Sequence, residues 1–272
     1  MIPKCDLHTH TTYCDGKNTP EEMVLGAIAR GCESFGFSAH SPRDDENDWC
    51  IKFADVKPYV SEIKALREKY KEKIELYVGF EYDILSDVDR SEFDYIIGSV
   101  HYVTKDDVTV AVDLSAATMG GAIDTLFGGD AYAFAKAYYE NMYTLYERTG
   151  CDIVGHVDLI TKFNEQVALF DSADKRYRSV ALDAVDYLLS KDRIFEINTG
   201  AISRGYRKTP YPEDFLLRHI AERGGRVMLN SDTHSVENIM FGFAEATEFA
   251  RACGVRELTV LKNGKFEQIG IQ

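Results

Sequence analysis

The sequence predicts an α/β fold, a barrel of parallel strands that alternate with helices. Three observations support this prediction. Short apolar segments alternate with longer amphipathic segments along the whole chain, which is typical of parallel α/β proteins. A chain of 272 residues has the size of one such barrel. Neither an internal repeat nor a Pro-, Gly- or Ser-rich linker divides it, so we expect one domain over residues 1–272.

Seven segments have the length and the apolar content of buried strands. They are residues 2–7, 34–39, 75–80, 95–100, 153–155, 194–197 and 227–229. Seven strand–helix units are one fewer than in the common eight-stranded barrel. We therefore predict a distorted, TIM-like (β/α)7 barrel.

The predicted helices lie between and after these strands. The first begins at Pro20, because Thr19 can cap it, proline suits the first helical position, and two acids follow. The other amphipathic stretches are residues 56–73, 131–148, 174–190, 212–223 and 236–253. Close to the end of the chain, Asn263-Gly264 predicts the turn of a small hairpin.

Residues 104–130 match neither a strand nor a helix pattern. The segment contains glycine pairs at 120–121 and 128–129 and follows closely on His101. Long irregular segments inside compact domains are usually functional lids or disordered. We predict a lid over the site; a packed surface loop is the alternative.

Composition restricts the partners of the protein. The formal net charge of −14 disfavours nucleic acid, whose phosphates attract basic surfaces. A small phosphorylated substrate remains possible, because clustered metal ions reverse the sign of the local field. The chain has no apolar run of about 18 residues, so no membrane span is expected. The first residues do not resemble a signal peptide and the six cysteines form no CxxC pair, so we expect a cytoplasmic protein.

Histidines and acids recur just beyond the predicted strands. Six of the seven histidines and three carboxylates occupy such positions. They are His8, His10, Asp15, His40, Glu81, His101, His156, Asp232 and His234. Because the carboxyl ends of parallel barrel strands meet on one face, we expect these side chains to converge. Imidazole and carboxylate are the usual ligands of zinc, iron and manganese, so the pattern predicts a metal site.

Local spacing strengthens this prediction. In His8-Thr9-His10 the two imidazoles point the same way on an extended chain, because side chains alternate with a period of two. Asp232 and His234 repeat that spacing on the last strand. A lone histidine is more often structural, and we interpret His219, inside a predicted helix, in this way.

The motif series resembles that of the PHP (polymerase and histidinol phosphatase) superfamily of metal-dependent phosphoesterases. The matching segments follow in the family's order over nearly the whole chain: residues 5–11, 37–42, 79–81, 98–101, 154–156 and 231–234. Within the superfamily the chain is most similar to the monofunctional histidinol-phosphate phosphatases. That similarity lies in residues 195–200, in Arg204, and in residues 205–208 and 211–212.

The resemblance implies a trinuclear site that holds two to three divalent ions of zinc, manganese or iron. One ion would be held by His8, His10, Glu81 and Asp232. A second would be held by Glu81, His101 and His156, with Glu81 as the bridge. The third would be held by Asp15, His40 and His234. Some members have histidine at the position of Asp15, and a carboxylate there disfavours zinc relative to manganese or iron.

The same resemblance implies hydrolysis of L-histidinol phosphate to L-histidinol and phosphate, a reaction of histidine biosynthesis. Bridging metals lower the pKa of a bound water and neutralise the phosphoryl oxygens. We hypothesise in-line attack by a metal-bridging hydroxide, without a phosphoenzyme. Glu81, Asp232 and His234 are the predicted catalytic residues.

Substrate contacts are less well defined by the sequence. Arg204 and Arg207 follow the sixth predicted strand, and the planar guanidinium suits phosphate oxygens. Solvated surface charges are the alternative for both arginines. The amine and imidazole of histidinol require an acid or other polar contacts. Asp44, Asp45, Glu46 and the segment 104–130 are the candidates.

Other functions remain open. The chain can be a PHP phosphoesterase for another small phosphate ester or for a nucleotide. Amidohydrolases also begin with an HxH motif, but they typically bridge their metals with a modified lysine, where this chain has Glu81 and His101. A non-catalytic metal-binding module is disfavoured, because structural sites need fewer ligands. The sequence does not indicate the number of subunits.

Overall fold

A computed structural model describes residues 2–43 and 48–271 of the chain. Asp44, Asp45 and Glu46 therefore lie outside the described residues. The strands are β1 (Cys5–Asp6), β2 (Ser34–His40), β3 (Glu75–Asp83), β4 (Tyr95–Ser99), β5 (Tyr102–Lys105), β6 (Val108–Ala111), β7 (Ile153–Val154), β8 (Ile194–Asn198), β9 (Val227–Asn230), β10 (Glu257–Lys262) and β11 (Lys265–Gly270). The helices are α1 (Pro20–Ala29), α2 (Val56–Tyr70), α3 (Ala116–Phe127), α4 (Ala131–Thr149), α5 (Lys175–Ser190), α6 (Gly200–Ser203), α7 (Asp214–Glu222) and α8 (Phe243–Ala252).

Seven of the strands form one parallel sheet in the order β1-β2-β3-β4-β7-β8-β9. The sheet closes almost completely, because Thr9 after β1 pairs in parallel with Thr233 after β9. The amide of His10 donates to the carbonyl of Thr233 at 2.8 Å across this junction. The predicted (β/α)7 barrel is confirmed, and the carboxyl ends of all seven strands lie on one face.

The inside of the barrel holds a small apolar cluster near the amino ends of the strands. Tyr95 and Ile97 on β4 belong to it and are almost completely buried. The Tyr95 hydroxyl contacts the carbonyl oxygens of Leu7 and Phe37. This ring fits only because β3 has a glycine beside it: a Cβ on Gly79 would lie 2.1 Å from Cζ of Tyr95. The barrel interior is therefore a packed layer beneath the site.

A larger apolar cluster lies between the barrel and its helices. Phe35 and Phe37 on β2 point outward into it, and Tyr138 and Met142 on α4 meet the barrel from outside. Each of these side chains is fully buried. Burying one such side chain stabilises the folded state by about 1.5–3 kcal/mol. The alternation of inward and outward residues on each strand follows the period of two.

The structure corrects the prediction for residues 104–130, which are not an irregular loop. Strands β5 and β6 form an antiparallel hairpin there, and α3 follows. The Ser115 hydroxyl accepts a hydrogen bond from the amide of Thr118, and Gly128 ends the helix with φ of 61°. Glycines at 120–121 lower the intrinsic helix propensity. Buried contacts of Met119 and Ile123 with the core outweigh that cost.

The last predicted helix, residues 236–253, is also shorter than expected. A single turn covers Val236–Asn238, and the regular helix begins only at Phe243. Between them Met240 and Gly242 have φ angles of 55° and 68°, which no right-handed helix contains. The predicted hairpin at Asn263-Gly264 is confirmed as the turn between β10 and β11.

Two further properties bear on the type of protein. No helix in the described parts of the chain is both long and apolar enough to cross a bilayer. Among the described residues the six cysteines form no disulfide, and five of them are buried.

Candidate metal centre

Closure of the barrel places the His-x-His motif of the first strand beside the Asp-x-His motif of the last strand. The Thr9–Thr233 pair lies at the centre of His8-Thr9-His10 and of Asp232-Thr233-His234. Asp232 Oδ1 lies 3.3 Å from His10 Nε2 and 3.7 Å from His8 Nε2. Asp232 has a φ angle of 48°, in the left-handed region that is uncommon for residues other than glycine.

Glu81, at the carboxyl end of β3, lies at the centre of the histidines. Its Oε2 atom is 3.2 Å from His8 Nε2, 3.6 Å from His10 Nε2 and 2.8 Å from His40 Nδ1. Its Oε1 atom is 3.3 Å from His101 Nε2 and 3.0 Å from His156 Nε2. Each carboxylate oxygen thus faces a different set of imidazoles, which is the arrangement of a bridging ligand.

A third group of side chains surrounds Asp15. Its carboxylate lies 3.2 Å from His234 Nε2, 3.8 Å from His40 Nε2 and 3.6 Å from His10 Nδ1. The rings of His10 and His234 stack with centroids 4.1 Å apart. All nine predicted ligands are therefore brought together at the carboxyl ends of the strands. His219, in contrast, lies on α7 and contacts Asp186 on α5 at 2.7 Å, as expected for a structural residue.

Two acids behind the predicted ligands orient them, a role that the sequence pattern did not indicate. Glu196 Oε1 on β8 lies 2.6 Å from His8 Nδ1, and Asp83 Oδ2 lies 3.0 Å from His101 Nδ1. The Ser99 hydroxyl donates to Glu81 Oε1 at 2.7 Å. A carboxylate behind a histidine sets its tautomer and ring orientation. Asp83 could have been found, because it follows Glu81 at the strand period of two.

The donor atoms fit divalent metal ions. His8 Nε2, His10 Nε2 and Glu81 Oε2 are buried and make no hydrogen bond. Unpaired buried polar atoms are costly and uncommon. The described residues contain four overlapping groups of histidine and carboxylate side chains. Within each group the possible ligand atoms lie within 4.8 Å of one another, and together the groups contain all nine predicted ligands. Imidazole nitrogens with carboxylate oxygens suit zinc, iron and manganese.

The protonation states of Glu81, Asp232 and His10 match that assignment, whereas nearby carboxylates, against the effect of burial, raise the pKa values of His8, His40 and His101. Burial opposes ionisation of Glu81, but the neighbouring imidazoles, His8 first, hold its carboxyl pKa well below the usual value. Burial also opposes ionisation of Asp232, but Arg204, His8 and the other neighbouring imidazoles together lower its carboxyl pKa well below the usual value. Burial, with His234 and His40 nearby, lowers the pKa of His10 to about 3. Ionised carboxylates and a neutral imidazole are the protonation states in which these groups bind metals.

An open cavity of about 530 Å³ lies above these residues, a volume typical of small-molecule sites. Its lining contains Asp15, His40, Trp49, His101, Tyr102, Thr109, Ala111, Asp113, Leu114, His156, Leu159, Arg204, Asp232 and His234. Thr109 and Ala111 belong to β6, so the segment predicted as a lid borders the site even though it is structured. Asp113 is a further residue that the sequence analysis did not single out.

The structure separates the two predicted phosphate-binding arginines. Arg204 lines the cavity, and its guanidinium donates to Asp232 Oδ2 and to the Asp232 carbonyl at 2.9 Å each. Arg207 is buried away from the cavity lining: its guanidinium lies 4.5 Å from the centre of the Tyr211 ring and donates to Thr161. Only Arg204 is placed to meet a ligand in the cavity.

Comparison with known proteins agrees with this geometry. The PHP domain family matches residues 6–200. The chain belongs to this family. That match covers well over half of the chain, and it confirms the prediction that the motif series made.

Individual relatives extend over nearly the whole chain. A protein of Schizosaccharomyces pombe named probable histidinol-phosphatase is 27% identical over 279 residues, 94% of this chain and 89% of its own. A protein of Deinococcus radiodurans with the same name is 29% identical over 280 residues, 95% of this chain and 97% of its own. The histidinol phosphate phosphatase structure from Lactococcus lactis, complexed with zinc, L-histidinol and phosphate, superposes with a TM-score of 0.75. It is 22% identical and covers 96% of this chain and 98% of its own.

Proposed function

We propose that this protein is a metal-dependent phosphomonoesterase that hydrolyses L-histidinol phosphate to L-histidinol and phosphate in histidine biosynthesis. The position of Glu81 is the observation that carries the proposal. One buried carboxylate faces two separate sets of imidazoles, and some of these imidazoles line a cavity that also presents an arginine. Such a site suits an anionic, metal-bound ester.

Nine side chains would hold two or three divalent ions: His8, His10, Asp15, His40, Glu81, His101, His156, Asp232 and His234. Bound there, the ions would supply an activated water and neutralise the phosphoryl oxygens. Glu81 would be a ligand of more than one ion, because each of its oxygens faces a different set of imidazoles. Asp15 adds an oxygen ligand to the third group, which favours manganese or iron over zinc at that position.

Arg204 would bind the phosphate. Its guanidinium is held by Asp232 and has donors left for phosphate oxygens at the cavity. Asp232 and His234 would complete the catalytic set, since both line the cavity beside Arg204. The β5–β6 hairpin would act as the lid over the bound ester, because Thr109 and Ala111 of this hairpin line the cavity.

The relatives support the choice of substrate. Two relatives that align with this chain over nearly their full length are named probable histidinol-phosphatase. The Lactococcus lactis structure holds zinc, L-histidinol and phosphate. The bridging position here is filled by Glu81, and no lysine lines the cavity in the described residues, unlike an amidohydrolase site. A cytoplasmic location is part of the proposal, in keeping with six cysteines that form no disulfide within the described residues.

Phosphate release from a panel of monoesters and nucleotides tests the proposal. The protein is reconstituted with Mn, Zn or Fe, and its metal content is measured. We expect the highest kcat/KM for L-histidinol phosphate, lost on chelation and reduced at least about 1,000-fold in Glu81→Gln, which loses the bridging charge. The matched variant Glu222→Gln, at an exposed position on α7, should keep full activity. A preference for another ester would discard the substrate, and no phosphate release despite bound metal would discard the phosphomonoesterase.

A further inference from the structure

Asp113 is a carboxylate of the cavity without a role in the metal groups. Three acids line the cavity in the described residues, and Asp15 and Asp232 both belong to the clusters of metal-ligand atoms. Asp113 belongs to none of those clusters. It follows β6 directly, within the segment that borders the site. Its side chain is 31% exposed, so it is available to a ligand in the cavity.

A buried lysine holds Asp113 in place. Lys162 Nζ donates to the backbone carbonyl of Asp113 at 2.9 Å and contacts its Oδ2 at 3.4 Å. Within residues 2–43 and 48–271, no other donor contacts the Asp113 carboxylate. The Oδ1 atom of Asp113 therefore has no hydrogen-bond partner among the described residues, while Lys162 holds the Asp113 backbone carbonyl. An ionised carboxylate with an unused oxygen calls for a hydrogen-bond donor from the ligand.

The charge of Asp113 is stabilised at neutral pH. Burial disfavours its ionised form, but Lys162 and the imidazoles of the metal centre, His101 first, lower its pKa below the usual value. Apolar side chains also line the cavity: they include Leu114 and Leu159, and the rings of Trp49 and Tyr102, which stack with centroids 6.1 Å apart. A carboxylate that is only partly exposed to solvent discriminates between cationic and neutral groups of a ligand.

The phosphate of a bound ester belongs at the metal ligands and Arg204, so its organic part must face the remaining lining. We propose that Asp113 is a specificity-determining residue that binds a protonated amine on the organic part of the substrate. The protein would thereby select phosphate monoesters of amino alcohols over neutral esters of similar size. This inference rests on the proposed phosphomonoesterase function and assigns the residue that recognises its substrate class.

The test compares two esters in two variants. L-Histidinol phosphate carries the amine, and imidazolylpropyl phosphate is the same ester without it. Wild-type protein is expected to favour the amine-containing ester. Asp113→Asn should lower kcat/KM for L-histidinol phosphate about 10- to 100-fold, the range for a charged hydrogen bond, chiefly through KM. It should change kcat/KM for imidazolylpropyl phosphate less than about 3-fold. Asp113→Glu should restore part of the preference, because it keeps the charge.

Asp124→Asn is the matched control, since Asp124 is an exposed acid on α3 in the same segment. It should leave both esters unaffected. Equal losses on both esters in Asp113→Asn would assign Asp113 a structural role and overturn the inference, as would no loss on either. If wild-type protein cleaves neither of these two esters but cleaves others, phosphoethanolamine and ethyl phosphate provide the same comparison of an ester with and without an amine. The substrate named under the proposed function then fails separately from the role of Asp113.

Discussion

His8 and Glu196 form a buried pair at the back of the metal centre, with 2.6 Å between His8 Nδ1 and Glu196 Oε1. An ionised carboxylate only accepts hydrogen bonds, so Nδ1 carries the proton and Nε2 is left free to bind a metal. Glu196 is held in turn by four donors in all: Oε1 also accepts from Asn230, and Oε2 accepts from Asn198 and from the amide of His156. One carboxylate thereby orients His8 and the start of the His156 loop together.

Replacement of Glu196 should weaken metal binding. In Glu196→Gln the side chain keeps its shape but loses the charge that stabilises the His8 tautomer. Outer-shell changes of this kind typically cost about 10- to 100-fold in metal affinity or activity. We expect a loss in that range by competition with a coloured chelator, partly recovered at saturating metal. Glu222→Gln should bind metal like the wild type; an unchanged affinity in Glu196→Gln would contradict the positioning role.

The two arginines should respond differently to the same substitution. Arg204→Lys should raise KM for every phosphomonoester by about 10-fold or more, because lysine cannot provide the planar pair of donors. Arg207→Lys should leave KM nearly unchanged. It should instead lower the free energy of unfolding by about 1 to 3 kcal/mol, since Asp158 and the Tyr211 ring lose a buried guanidinium. Steady-state kinetics and urea unfolding of both variants distinguish these outcomes; the reverse pattern would exchange the assignments.

Removal of metal should destabilise the fold as well as abolish activity. Without ions, three buried atoms are left without a hydrogen bond: His8 Nε2, His10 Nε2 and Glu81 Oε2. Ions present at about 1,000 times their Kd contribute about 4 kcal/mol, which corresponds to a fall in Tm on the order of 10 °C after chelation. Glu81→Gln should show a smaller fall on chelation, because it binds less metal at the start. Equal falls in both proteins would indicate that Glu81 is not a ligand.

Glu213 should make stability depend on pH. Burial, together with the nearby charge of Asp158, raises its pKa from 4.5 to about 7. The folded state therefore holds this proton more tightly than the unfolded state. Glu213 carries no penalty below pH 4.5, and stability falls as the pH rises from 4.5 to about 7. We expect a loss of about 1 to 3 kcal/mol across this window.

The variant Glu213→Gln should remove that dependence. It should match the wild type near the lower end of the window and be more stable above pH 8. Urea unfolding at several pH values measures the difference, with Glu222→Gln as the exposed control on the same helix. A wild-type curve that does not fall over this interval would show that Glu213 titrates normally.

Local pattern was sufficient to predict much of the fold and the convergence of the nine candidate ligands. The strands were readable because buried parallel strands are short apolar runs, and a polar residue just after such a run lies at the barrel face where sites form. Residues 104–130 were misread because their hairpin is partly exposed and α3 contains two glycines. Contacts of Met119 and Ile123 with the core help to stabilise that helix, and such contacts are not a local property.

The sequence by itself determined the chemistry of this protein: which histidines and acids are available, and that parallel strands deliver them to one face. The tertiary structure decided how they are used. It placed each oxygen of Glu81 against a different set of imidazoles, set Glu196 behind His8 across 188 residues, moved Arg207 out of the cavity lining and put Asp113 into it. The sequence specifies the type of each residue. The partner of a buried charge depends instead on which strands and loops pack together, and that is a property of the whole fold.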